Sequence, residues 1–231
     1  MDELTRGLIQ AIQLIFSLDP AIYEIIFLSL RVTGFALLIS TLVGVPVGAA
    51  LGLSRIRARG FITALLYTGM GLPPVVVGLF VYLMLSRSGP MGMLGWLFTP
   101  RAMIVAQVII AFPLVAGLTM TAVQSVDPAL RVQVRALGAT RVQETWAVLR
   151  EARIGVVAAI VAAFGGIISE VGGVMLVGGN IEGKTRVLTT AIVLNTRTGE
   201  FDLAIALGII LLTLAFLANA AMLRLQKRMD D

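Results

Sequence analysis

Long apolar runs alternate with short charged segments along this chain. A bilayer-spanning helix takes about 20 mainly apolar residues, and five stretches qualify: Ile22–Leu53, Phe61–Leu85, Ala102–Val126, Ile154–Val177 and Leu203–Leu223. At about 1.5 Å per residue the first exceeds a bilayer core, so it tilts or protrudes. Pro46 and several glycines within it permit a kink. Pro73-Pro74 is predicted to break the second run and Pro113 the third, because each proline removes a donor and strains the preceding turn. Carbonyls freed at that depth face protein or a water-filled cavity. Leu4, Leu8, Ala11, Ile12 and Ile15 share one helical face, so residues 1–20 are predicted as an interfacial segment, with a frayed tail as the alternative. Met1–Gly7 lacks the basic region of a cleavable signal peptide.

The polar segments set the orientation. Ser54–Gly60, Asp127–Arg153 and the tail after Leu223 together carry 11 Lys and Arg residues, against 6 on the opposite side. The richer side is expected to be cytoplasmic, which places the N-terminus outside and the C-terminus inside. The fold class is therefore an all-α integral membrane protein. It has five transmembrane helices, an N-terminal interfacial segment (1–20) and one transmembrane domain over 21–226. Within the long loop 127–153, Asp127-Pro128 reads as an N-cap followed by a first-turn proline. Leu130, Val134 and Leu137 follow at helical spacing. Gly138-Ala139-Thr140 breaks the run, and Thr140 is placed to cap a second helix, Arg141–Arg150, with Val142, Trp146 and Leu149 on one face. A helix, a small-residue turn and a helix make a docking shape, in which Gly138 lets another backbone approach. An ordinary basic loop is the alternative.

Composition narrows the chemistry. The 231 residues are 58% hydrophobic and 13% charged, with a mean hydropathy of +0.97, far from a soluble domain. There is no Cys and no His, which excludes disulfides, thiolate nucleophiles, Cys/His zinc sites and a Ser-His-Asp triad. No catalytic residue and no metal site are assigned. The net charge of +5 comes from basic residues flanking apolar runs, so a lipid bilayer rather than nucleic acid is the expected partner. No internal repeat is visible, which disfavours a two-halved secondary transporter. Glu170 falls inside the fourth run, where a carboxylate needs a partner or a watery path. It reads as a gate residue at an interface between two copies, or as a buried acid satisfied by a hydroxyl or by Arg31. Arg31 itself reads as a snorkelling or ion-paired residue ahead of an anion-attracting one.

Two further segments carry a family likeness. Residues 132–155, VQVRALGATRVQETWAVLREARIG, resemble the EAA loop of ABC importer permeases. The match rests on Ala136–Thr140, on Gly138 and the apolar Val148 ten residues later, and on the loop's place before the penultimate span. The sequence departs from the pattern with Val132-Gln133-Val134 in place of Glu-Ala-Ala, and with Arg150-Glu151 where Leu-Pro is common. Gly71–Leu79, GLPPVVVGL, resembles the double-proline bend of molybdate- and tungstate-type permeases. Ile168–Ile181, ISEVGGVMLVGGNI, resembles their Ser-Glu-aromatic-Gly region, and residues 177–212 are similar to the tungstate branch. The likeness runs from about residue 22 to 225.

The resemblance implies a type I ABC importer permease fold in a prokaryotic cytoplasmic membrane. It implies transport of an oxyanion, tungstate or molybdate, by two copies of the chain working with a separate cytoplasmic ATPase and an extracytoplasmic substrate-binding protein. ATP and Mg would sit on the ATPase, and this chain would bind no cofactor. Arg135, Ala136, Leu137, Gly138, Ala139 and Thr140 would form the ATPase-coupling turn, and Glu170, Ser169, Pro73 and Pro74 the pathway or gate. The alternatives are another cargo (sulfate, methionine or a metal ion) or an ATP-independent secondary transporter. Gly178–Thr185 matches the P-loop pattern letter for letter, but it follows a span on the outer side with no α/β domain around it. It reads instead as an outer loop, in which Asn180, Lys184, Thr185 and Arg186 contact a docked binding protein. Val187–Leu194, too short to span, reads as a re-entrant or interfacial helix.

Overall fold

The computed structural model describes residues 20–54 and 59–230, with Thr5, Ile9, Gln10, Ile12 and Gln13 before them and side chains through Arg224. The expected interfacial segment 1–20 falls outside the described residues except for these positions and Pro20. The chain forms α1 (Pro20–Leu53), α2 (Arg59–Met70), α3 (Pro74–Leu85), α4 (Pro100–Gln124), α5 (Pro128–Ala136), α6 (Arg141–Glu151), α7 (Arg153–Ile168), α8 (Gly172–Gly178), α9 (Leu188–Thr198) and α10 (Phe201–Asp230). The described residues contain no strand.

Three helices are long and apolar enough to cross a bilayer: α1, α4 and residues Phe201–Arg224 of α10. Five is reached only if each of two bent pairs counts as one span: α2 with α3, bent by 99°, and α6 with α7, bent by 70°. The second expected span is thus two 12-residue helices, each about 18 Å long. Pro73 sits in extended backbone and Pro74 in the first turn of α3, where its missing N–H costs nothing. The fourth expected span also differs. Helix ends at Ile168 and restarts at Gly172, so Glu170 lies in a break rather than inside a helix. Pro113 does not break α4, which runs on through it. A Cβ on Gly69 would lie 2.9 Å from the Pro113 ring, so this proline serves as a packing surface for α2.

α4 is the axis of the fold. α1 lies along it through Gly44, Gly48 and Gly52, which face Val115, Ala116, Thr119, Met120 and Val123. Stripped of side chains at one-turn spacing, the two backbones approach closely, the means by which helices associate where lipid is as apolar as leucine. Val32, Ala36, Val77, Met103, Ala111 and Ile167 join α1, α3, α4 and α7 in the main core. A second cluster, Ile22, Leu188, Ala191, Leu207 and Ile210, seats α9 between α1 and α10. A third, Ala49, Val123, Val148 and Ala152, anchors the long loop under α1 and α4. The outer faces of α1 and α10 carry exposed Phe27, Leu42, Leu212 and Phe216, as expected of surfaces that meet acyl chains.

A Cβ on Gly48 would run into the Ala116 carbonyl oxygen, whereas Gly34 has open space around it. Gly48→Val should therefore destabilise the protein by on the order of 1–3 kcal/mol and Gly34→Ala should not. Thermal unfolding in detergent checks this, and equal melting temperatures for the two variants would refute the glycine contact.

Candidate functional site

The loop 127–153 is an ordered helical hairpin. Asp127 accepts a hydrogen bond from the Ala129 amide at 2.8 Å and Pro128 opens α5. Thr140 and Gln143 form a reciprocal capping box at the start of α6, with the Thr140 amide donating to Gln143 Oε1 at 2.8 Å. Between the helices, Gly138 has φ +81°, a left-handed conformation that favours glycine, and its amide donates to the Arg135 carbonyl. Nothing lies within 4 Å of a Cβ built there. Within the chain, then, Gly138 is required by the turn, and the space before it is open to a partner. Leu137 is 87% exposed at the tip, and Val132, Val142 and Trp146 are exposed as well.

Glu144, which sequence reasoning passed over, holds the hairpin rigid. It is 4% exposed. Its Oε1 accepts from Arg131 Nε at 2.7 Å and from a terminal guanidinium nitrogen of Arg135 at 2.9 Å, and its Oε2 accepts from Arg135 Nε at 2.7 Å. Arg131 also donates to the Leu53 carbonyl at the end of α1. One carboxylate thus ties α5, α6 and α1 together beside an open cleft of about 820 Å³. The hydrogen bonds from Arg135 and Arg131 hold its carboxyl below the usual value of 4.5, and Glu144 in turn raises the Arg135 guanidinium. The legible signal was Arg131 and Arg135 one turn apart, with an acid, Glu144, in the first turn of the next helix. The exposed Val132 stands where the EAA pattern has its glutamate, so this loop takes its carboxylate from the second helix.

A second constellation sits at the helix break. Ser169 donates to the Gly165 carbonyl at 2.9 Å. Glu170, 9% exposed, accepts the Gly173 amide on Oε1 at 2.7 Å and receives the Thr189 hydroxyl on its backbone carbonyl at 2.9 Å. Its partner is therefore the first turn of α8 and not Arg31, which is exposed on α1. Gly173 packs on the Pro74 carbonyl and against Gly78. The fold thus brings Glu170 and Pro74, 96 residues apart in the chain, to either side of one glycine. Ser29, Thr33, Gln107 and Thr189 join Glu170 around a small, partly open space of about 10 Å³, enough for about one water. Gln107 Nε2 donates to the Ile167 carbonyl at 3.0 Å, while its buried Oε1 has no partner among the described residues. The signal for this cluster in the sequence is its polar residues inside apolar runs.

The P-loop look-alike is no phosphate cradle. The amides of Lys184, Thr185 and Arg186 all turn inward to the Ile181 carbonyl, at 3.2, 2.8 and 3.0 Å. The Thr185 hydroxyl donates to the Gly178 carbonyl at 2.6 Å and accepts the Ile181 amide at 2.9 Å. Thr185 is wholly buried, which corrects its expected role as an outer contact. Lys184 remains exposed, and Arg186 pairs with Glu182 at 3.2 Å. The segment after it forms α9, buried along Leu188–Ala191 against α1 and α10. Among the described residues no three His, Cys, Asp or Glu side chains converge on a metal position.

The pattern of the binding-protein-dependent transport system inner membrane component family matches residues 44–231. The chain belongs to that family. It is thus a multi-pass membrane subunit of a transport system. Over 227 residues, 98% of this permease and all of the relative, it is 40% identical to a tungstate uptake system permease protein, TupB, of Peptoclostridium acidaminophilum. It is 45% identical to a probable anion ABC transporter permease protein of Haloferax volcanii, over 87% of this chain and 88% of that one. It is 29% identical to the molybdenum transport permease ModB of Escherichia coli K12, over 87% and 91%. Among solved structures, the fold matches a bacterial alginate ABC transporter crystallised with its alginate-bound periplasmic protein (TM-score 0.77, 21% identity, 96% of this chain and 86% of that one). It also matches the inward-facing MetNI methionine transporter (TM-score 0.74, 20% identity, 94% and 97%).

A lowered carboxylate pKa stabilises the fold above the unfolded value and loses that contribution as pH falls through the folded one. The hairpin's ionic clamp should therefore be complete above about pH 4.5 and release below it. Glu144→Ala should cost on the order of 1–3 kcal/mol and remove that acid limb. Hydrogen exchange of residues 128–151 across pH 3–7 checks both, and an unchanged acid profile in the variant would rule the clamp out.

Proposed function

We propose that this permease is the membrane-spanning subunit of an ABC importer that carries an oxyanion, tungstate first and molybdate second, into the cytoplasm. A separate ATPase drives it, and ATP and Mg bind there rather than to this chain, which is a transport subunit and not an enzyme. Two copies pair to form the pathway, an extracytoplasmic binding protein delivers the substrate, and the chain lies with its N-terminus out and C-terminus in. The observation that carries this reading is an ordered hairpin presenting an exposed leucine, in a chain 40% identical from end to end to a tungstate permease. The relative described only as an anion permease supports the wider anion class as the second reading.

The mechanism follows from the connections. The ATPase receives Arg135–Thr140, with Leu137 as the apolar knob. Because Glu144 locks α5 to α6, a displacement of the turn moves the hairpin as one lever. The 70° elbow between α6 and α7 and the bond from Arg131 to the end of α1 pass that movement to two helices at once. At the far end of α7, beside the exposed Ser169, Glu170 holds the first turn of α8 through Gly173, which packs on the Pro74 carbonyl of the Pro73–Pro74 bend, so tilting α7 opens or closes that junction. A carboxylate repels a dianion, so Glu170 holds the gate rather than binding the cargo.

Cellular tungsten and molybdenum, measured by mass spectrometry at trace supply with and without the gene, test the cargo. Selective loss of tungsten is expected, and no change in either metal, with no redundant system present, would overturn the oxyanion reading. Leu137→Glu should keep the permease in the membrane while abolishing co-purification of its ATPase. Undiminished recovery of the ATPase would move the docking site elsewhere.

A further inference from the structure

At the elbow between α6 and α7 lies a second groove, of about 560 Å³, lined by Val45, Trp146, Leu149, Arg150, Arg153, Val156 and Val157. Its walls are aliphatic and aromatic, and its rim carries two arginines. Trp146 is 72% exposed. Arg150 is also exposed and makes no ion pair with a described residue, while Arg153 has a partner within the protein. Neither the hairpin tip nor the gate uses these side chains.

We propose that this groove binds an anionic phospholipid of the inner leaflet, with the headgroup phosphate between Arg150 and Arg153 and one acyl chain along α1. Three features specify that occupant. The charge is complementary, since basic pockets between helices on the cytoplasmic side suit anionic headgroups. The groove sits in the angle between α7 and α6, bent 70° from each other, which the proposed orientation puts at headgroup depth, where an exposed tryptophan is at home. Finally, Val45 continues upward through Leu42 and Leu38, one turn apart and 65% and 53% exposed. That apolar track runs about 10 Å along α1, away from the arginines and into the bilayer. Through Trp146 and Arg150 the lipid braces α6, and through Val156 and Val157 it braces α7, so it stiffens the elbow that the lever turns on.

The inner-leaflet placement rests on the orientation given in the proposed function. The chain contains no cysteine, so Trp146→Cys offers a single reporter of that placement. Its labelling in intact cells by a membrane-impermeant maleimide would fail the orientation without touching the lipid selectivity. For selectivity, the purified full-length chain in detergent is offered equimolar phosphatidylglycerol and phosphatidylcholine of identical acyl chains, and bound lipid is read by native mass spectrometry. We expect a phosphatidylglycerol preference on the order of tenfold, reduced in Arg150→Gln and lost in Arg150→Gln/Arg153→Gln, with Val45→Trp blocking both lipids. The wild-type comparison needs no variant to fold. Equal binding of the two lipids, or a preference that survives the double substitution, would overturn the proposal. So would crosslinking of Trp146→Cys to a second copy or to an ATPase in the assembled transporter, because the groove would then belong to a protein contact.

Discussion

A backbone amide or carbonyl left without a partner in hydrocarbon costs several kcal/mol, yet this chain interrupts two of its apolar runs at membrane depth. The hydrogen bonds around Glu170 answer that constraint. Where α8 restarts, the Glu170 carboxylate takes the Gly173 amide. The carbonyl of Glu170 is taken in turn by Thr189, the amide that opens α9 by Ser29, and the Ile167 carbonyl by Gln107. Three helices from distant parts of the chain, α1, α4 and α9, each lend one polar side chain, and Glu170 within the break supplies a fourth. The same residues that make the break tolerable hold its two sides in register.

Glycine and proline do the complementary work of distance. Gly44, Gly48 and Gly52 let α1 lie directly on α4, and Gly78 and Gly173 do the same for α3 and α8. Contact at backbone distance leaves few side-chain rotamers to absorb a shift, which is the stiffness the proposed lever requires. The hairpin obeys the same logic in water. There a single buried carboxylate between two arginines replaces the close-packed glycines, and the clamp is electrostatic because the segment is too polar to be held by burial alone.

Much of this was legible in the residues. The apolar runs, the Asp127-Pro128 and Thr140 caps, the bend at Pro73-Pro74 and the turn at Gly138 depend on local chemistry: side-chain polarity, a missing N–H, a short-range hydrogen bond. Pro113 shows the limit of such reasoning. The same local rule predicted a break, and α4 continues through Pro113, whose ring Gly69 of α2 leaves room for. Thr185 shows it too. Its place in a polar loop read as exposed, while the hydroxyl is turned inward to close that loop.

The sequence by itself determined that this is an all-helical membrane protein without Cys or His, and it offered a polar hairpin as one reading of the long loop. Hydropathy and the absence of Cys and His are properties of composition and order. Only the tertiary structure decided which acid matters where. Glu144 and Glu170 look alike in the chain. One is buried between guanidinium groups 13 and 9 residues away, and the other caps a helix three residues on while facing a proline 96 residues back. Electrostatic and hydrogen-bonding partners are set by separation in space, and no pattern along the chain states that separation before the helices have packed.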